Sequence, residues 1–182
     1  MPPSVRTPRE AWIDAGLAML AENGPESVRV ELVAQRLGVT RGGFYRQFDS
    51  RPEFVEAMLD TWERRSTDEV RARVEEEGGD ARAKVRKAGM LTFSRDLLPI
   101  DLAVRDWARR DRAVAERLRR VDNSRMQYLR ALIGTFCDDP DDVEARGMLA
   151  FSLAIGSHFI AADHDGRSRA QVLDDATQRL LA

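Results

Sequence analysis

The sequence predicts an all-α fold: a small N-terminal module of three short helices containing a helix-turn-helix, joined to a larger C-terminal helical bundle. Three observations predict it. Apolar residues recur at helical spacing from end to end, and the two-residue alternation of a half-buried strand is almost absent. Helix-stopping runs punctuate the chain at Asn23-Gly24-Pro25, Gly38, Gly78-Gly79 and Asp138-Asp139-Pro140. Two short periodic segments meet across Gly38-Val39-Thr40, a joint of helix-turn-helix length.

The first helix opens at Thr7-Pro8-Arg9-Glu10, where Thr7 can cap, Pro8 suits the first helical position and Glu10 can bond back to Thr7. Ile13, Gly16, Leu17 and Leu20 follow at helical spacing. A second helix fits Val30 to Leu37, closed by Gly38. Thr40 is a good N-cap for a third, from Arg41 to Phe48. Ser50-Arg51-Pro52-Glu53 repeats the entry pattern of the first helix and launches a long one through Phe54, Met58 and Trp62 toward Glu75-Glu76-Glu77. Further helices fit about 80–96, 100–109, 112–136, 141–164 and 168–181. The spacing therefore divides the chain into a helix-turn-helix domain over 1–50 and a helical body over 51–182.

A chain of 182 residues with 43% hydrophobic and 33% charged residues can bury a core and belongs to the ordinary globular class. No apolar run reaches the ~18–20 residues of a membrane span. The start of the sequence lacks the apolar stretch of a secretion signal, so a cytoplasmic location is expected. The lone Cys137 can form no internal disulfide and reads as a small hydrophobe. Net charge is −2, so the whole molecule makes no electrostatic argument for a partner. Its distribution permits one without deciding it: Arg36, Arg41, Arg46 and Arg51 stand against the single acid Asp49 in that stretch.

Around a helix from Arg41 to Phe48, Phe44 and Phe48 share one face, suited to a small core. Gly42 and Arg46 fall opposite, flanked by Gly43 and Tyr45. Each glycine inside a helix costs ~1 kcal/mol relative to alanine, so helix stability did not select the pair. Glycine lets a backbone approach a sugar-phosphate chain, arginine offers a fork to phosphate or to guanine, and a tyrosine hydroxyl reaches phosphate. That face is a candidate for the major groove of duplex DNA. The competing reading of the arginines is a solvated surface.

The string Gly38-Val39-Thr40-Arg41-Gly42-Gly43-Phe44-Tyr45-Arg46-Gln47-Phe48, followed by Ser50-Arg51-Pro52-Glu53-Phe54, resembles the recognition segment of tetracycline-repressor (TetR) family regulators. Ile13 to Gly24 resembles the helix that precedes it; the motif-level resemblance covers roughly the first third of the chain. It implies a DNA-binding transcription regulator with Thr40, Arg41, Gly42, Gly43, Tyr45, Arg46 and Arg51 at DNA-facing positions. Thr40, Tyr45 and Arg51 would meet phosphates, and Arg41 and Gly43 would stand nearest base edges. The sequence departs from the family where Arg46 replaces a frequent histidine, and where Val28-Arg29 replaces small hydroxyl residues; Arg29 can supply a phosphate contact there.

The resemblance further implies a small-molecule pocket in the body and a homodimer formed by the last two helices, set on a palindromic operator. Phe93, Trp107, Tyr128, Met148 and Phe151 are candidates for the pocket, although aromatics at helical spacing also build cores. Ile155, Phe159, Leu173, Ala176 and Leu180 are candidates for the interface, with Gly156 and Ser157 allowing close helix approach. Two recognition helices on half-sites about one turn (~34 Å) apart gain affinity that one lacks. A repressor released by its ligand is the expected function. A helical-bundle enzyme and a protein-binding adaptor are the alternatives. No cofactor or metal is expected: the sequence has two histidines and no phosphate loop, nucleophile elbow or Glu-x-x-His, and Asp163-His164-Asp165 reads as a turn.

Overall fold

Helices account for all the regular structure among residues 7–182, the part of the chain that this computed structural model describes. In order they are α1 (Arg9–Asn23), a 3-10 turn (Pro25–Ser27), α2 (Val30–Leu37), α3 (Arg41–Phe44), α4 (Arg51–Ser66) and α5 (Asp68–Glu77). There follow α6 (Ala81–Thr92), α7 (Leu98–Ala108), α8 (Arg112–Ile133), α9 (Pro140–Gly156) and α10 (Arg169–Leu180). None is long and apolar enough to cross a membrane.

The chain forms two compact units. The first holds the residues through Ser66 together with Arg95–Arg119. Its core is the inner face of α1 (Trp12, Leu17, Leu20) against Val33 of α2, Phe44 and Phe48, and Phe54, Met58 and Trp62 of α4, all essentially inaccessible. Gly16 sets the approach of α1 and α4: a methyl there would stand 2.6 Å from both Met58 Sδ and Phe54 Cζ. On α8, Arg117 is 12% exposed and pairs with Glu56, Asp60 and Glu63 of α4. Burial opposes its charge, but the Asp60 hydrogen bond and the three carboxylates together hold its pKa above the ordinary value.

The second unit comprises Thr67–Ser94 and Arg120–Ala182. Val85, Met126, Leu129, Leu132, Ile133 and Leu181 form its core, with Phe136, Val143 and Phe151 packed alongside. Three of its helices, α6, α9 and α10, start on strong caps: Asp80 accepts from Ala83 N at 2.8 Å, Asp139 from Asp141 N at 2.9 Å, and Ser168 and Gln171 close a reciprocal capping box.

Several expected boundaries differ. Thr7 does not cap α1; Pro8 is the cap residue, with no side-chain bond, because its fixed φ of −68° is compatible with the extended cap position. The long helix expected from Arg51 to Glu77 breaks at Thr67, with φ −123° and ψ −73°. Asp68 and Glu69 then occupy the first turn of α5, where acids complement the helix dipole. The third helix keeps one regular turn and relaxes after Phe44, as Gln47 N and Phe48 N both converge on the Phe44 carbonyl at 2.8 and 3.0 Å. Adjacent glycines weaken it. Likewise α9 stops at Gly156 rather than near 164, where Ser157 Oγ turns back onto the Ala154 carbonyl.

Candidate nucleic-acid interface

One glycine makes the turn between α2 and α3. Gly38 is left-handed, at φ 68°, and Val39 N donates to the Ala34 carbonyl at 3.0 Å. Among the described residues nothing beyond its chain neighbours lies within 4 Å of the place a Cβ would occupy, so the backbone conformation alone requires glycine. Thr40 follows in an extended conformation and opens α3 with its carbonyl, which accepts from Gly43 N at 2.9 Å. Its hydroxyl makes no capping bond.

Behind α3 stands an aromatic wall. Phe44 packs edge-on against Trp12 and Phe54 at 5.5 and 5.4 Å and stacks on Phe48 at 5.2 Å. Phe48 meets Phe54 at 4.9 Å. Such pairs each add about 0.5–1.5 kcal/mol beyond the area they bury. Gly43 is half-buried over Trp12, where a methyl would lie 3.4 Å from the indole. The wall fixes which side of α3 faces out.

On the outward side, Thr40, Arg41, Gly42, Tyr45 and Arg46 are exposed. Tyr45 is 54% exposed and rests its ring edge on Phe44 at 5.2 Å, leaving the phenol accessible. Arg41 Nη1 stands 3.3 Å from Glu31 Oε1, an exposed pair that solvent or a phosphate can replace at little cost. Arg29, at the cap of α2, and Arg46 form no ion pair among the described residues. Arg51 donates through Nε to the Val28 carbonyl at 2.8 Å, which orients its exposed guanidinium. Arg36 is different: it grips both oxygens of Glu22 at 2.6 and 2.7 Å. That hydrogen-bonded pair lowers the Glu22 pKa and raises that of Arg36, so Arg36 serves the α1–α2 junction.

Sequence reasoning missed Arg9. Its guanidinium lies 4.1 Å over the Phe48 ring, donates to the Gln47 carbonyl, and pairs with Glu53 Oε1 at 3.0 Å. Glu53 also accepts from Asp49 N at 2.6 Å, and Gln47 Nε2 donates to the Thr7 carbonyl at 3.3 Å. The Asp49 amide and then the Arg9 hydrogen bond hold the Glu53 carboxyl below the usual range. The clasp joins the end of the recognition segment to α1 and α4. Its one signal in the sequence was Glu53 three residues after Ser50, whose hydroxyl accepts from Glu53 N at 3.3 Å.

The candidates for a ligand pocket are not gathered in one place. Trp107 belongs to the first unit and the other four to the second. Tyr128 donates to Glu75 Oε1 at 2.7 Å, and burial with that bond pushes its pKa up, so it serves the α5–α8 surface. Met148 is 56% exposed. Phe93 and Phe151 do meet, edge to face at 5.9 Å. Phe93 lines a half-open cavity of about 310 Å³ between α6, α9 and α10, together with Leu173 and Leu180, two of the residues expected at an interface. Ile155 and Ala176 are half-buried, and Phe159 is 66% exposed. Among the described residues no three His, Cys, Asp or Glu side chains gather to hold a metal ion.

Residues 13–58 match the family model described as bacterial regulatory proteins, tetR family. The match takes in the helix-turn-helix, the phenylalanines of its aromatic wall and the first half of α4. The fold recurs in a transcriptional regulator from Rhodococcus sp. Rha1, at 23% identity and TM-score 0.70 over 96% of this chain and 94% of that one. It recurs in a TetR/AcrR-family transcriptional regulator from Thermobifida fusca, at 17% identity and TM-score 0.63 over 95% and 96% of the two chains. The ketosteroid transcriptional regulator KstR2 of Mycobacterium tuberculosis is similar too, at 16% identity and TM-score 0.67 over 98% and 95%. These structural likenesses show the fold. No curated protein sequence matches the chain. The resemblance read from Gly38 to Phe54 is thus shared by the family model, and the all-helical architecture by the solved structures.

Proposed function

We propose, from the tetR-family helix-turn-helix over residues 13–58, that this chain is a sequence-specific DNA-binding transcription regulator, a repressor that leaves its operator when a small molecule binds the second unit. One observation carries the reading: α3 and the turn after it point Arg41, Gly42, Tyr45 and Arg46 outward while Phe44 and Phe48, at most 2% exposed, anchor them from behind. An exposed arginine-and-tyrosine face on so short a helix adds nothing to the core. Against a duplex it supplies the forks and hydroxyl that phosphates and base edges require.

In this reading Thr40, Tyr45, Arg51 and Arg29 hold phosphates, Arg41 reads base edges, and Gly42 keeps the helix backbone close to the groove, while Gly43 faces the Trp12 ring. The protein acts as a homodimer on a palindromic site, because one α3 spans too few bases to specify a locus. Ligand control requires that the effector prefer an arrangement in which the two recognition helices no longer match their half-sites.

Selection of bound fragments from random DNA, followed by anisotropy titration on the recovered site, tests the proposal. The wild type should bind a two-fold symmetric sequence with strong salt dependence. Arg41→Ala should lose about 1–3 kcal/mol and relax preference at one position per half-site, and Arg51→Ala should weaken all sequences alike. Equal binding by the wild type and an Arg41/Tyr45/Arg51 triple alanine variant at physiological salt would remove the regulator reading.

A further inference from the structure

Helix α6 carries four cations, and three of them are engaged within the second unit. Arg82 donates to the Leu181 carbonyl and lies 4.0 Å over the Phe136 ring. Lys84 pairs with Glu75, and Lys87 pairs with Glu77 at 3.0 Å. The fourth, Arg86, forms neither a hydrogen bond nor an ion pair among the described residues, yet it lines the cavity of about 310 Å³ between α6, α9 and α10.

The rest of that lining explains what a guanidinium could do there. Its walls are apolar, from Val85, Phe93, Leu153, Leu173 and Leu180. Among the described residues no aspartate or glutamate lines it, and His158 is the only other titratable side chain. The two hydroxyls present spend their protons on their own helices: Ser157 Oγ on the Ala154 carbonyl at 2.9 Å, and Thr177 Oγ1 on the Leu173 carbonyl at 2.7 Å. Arg86 therefore offers the cavity a planar fork of N–H donors that no described residue matches.

We propose that this cavity binds a monocarboxylate with an apolar body of matching volume, an unbranched chain of about ten carbons included, the carboxylate received by Arg86 and the body by the Phe93–Leu173–Leu180 wall. The volume suits on the order of ten to fifteen non-hydrogen atoms at protein packing density. A neutral apolar molecule covers the guanidinium without pairing it, and a cation is repelled by it. A dianionic phosphate monoester leaves one charge unbalanced against a single arginine. That this ligand is the effector rests on the regulator reading; that it binds does not.

The test titrates the full chain calorimetrically with decanoate, decan-1-ol and decylammonium, which share one alkyl chain and differ in head charge. Decanoate should bind at least about tenfold more tightly than the alcohol, and decylammonium should not bind. Arg86→Ala should bring decanoate down to the level of the alcohol without altering the alcohol, while Arg86→Lys keeps part of the preference. Equal affinity for decanoate and decanol in the wild type, an undiminished preference in Arg86→Ala, or no binding of decanoate overturns the proposal. DNA binding without decanoate, measured on the selected site, should be the same in the wild type and in Arg86→Ala. Decanoate binding through Arg86 in a protein that binds no DNA upholds the cavity and removes the regulator; DNA binding without decanoate binding does the reverse.

Discussion

Arg9 satisfies three partners with one guanidinium: the Phe48 ring beneath it, the Gln47 carbonyl and the Glu53 carboxylate. None of the three belongs to the outward face of α3, so Arg9 acts by holding that face still. Its loss should therefore weaken DNA binding without removing a phosphate contact. We expect Arg9→Ala to lower affinity about fivefold while the slope of affinity against salt stays that of the wild type; a shallower slope would place Arg9 on the DNA. The Glu53 half of the clasp has a pH signature. Its carboxyl is held below the ordinary range by the Asp49 amide and by Arg9, so the stabilisation is fully present above that range and is lost as pH falls through it. The difference in melting temperature between the wild type and Glu53→Gln should be largest near neutrality and vanish in acid. A difference independent of pH would mean that the Glu53 charge contributes nothing.

Between elements, α1 and α4 meet at a point where only a hydrogen fits. A methyl on Gly16 would stand 2.6 Å from Met58 Sδ and from Phe54 Cζ. The methionine can swing away, but Phe54 is wholly buried and packs on both Phe44 and Phe48. Overpacking costs about 1–3 kcal/mol and better helix propensity returns about 1. Gly16→Ala should therefore lower the melting temperature by several degrees in circular dichroism, and a rise would show that α4 shifts freely. The element scale also shows what the sequence made legible. Gly38, the apolar stripe of α2 and the shared face of Phe44 and Phe48 follow from spacing and backbone chemistry, and the structure has them. The break at Thr67 stayed hidden because Phe54, Met58 and Trp62 set a helical period that the polar stretch after Ser66 does not interrupt. The Arg9 clasp and the isolation of Arg86 were illegible for another reason. Each depends on partners 38 to 44 residues away, or on their absence, and periodicity carries no such information.

At the scale of the molecule, the proposed operator recognition depends on dimerisation. Met90, Met148, Leu149, Phe159 and Ile160 of the second unit are each more than half exposed, an unusual outlay of large apolar side chains. Four of them lie on α9 or just beyond its end. Among the described residues, nothing beyond its own helix lies within 4 Å of the Cβ position of Gly156 either. A surface that leaves such groups in water is stabilised when a second copy covers it, and a lasting dimer needs about 1,200–2,000 Å² of buried surface. Leu149→Glu combined with Phe159→Glu places charges where that burial would occur and leaves the first unit untouched. The wild type should sediment as a dimer, and the double variant as a monomer at the same concentration. It should keep its weak affinity for a single half-site and lose the added affinity that the full palindrome confers on the wild type. A variant that stays dimeric and binds the palindrome undiminished would move the interface off α9, and with it the mechanism by which two copies of α3 are spaced.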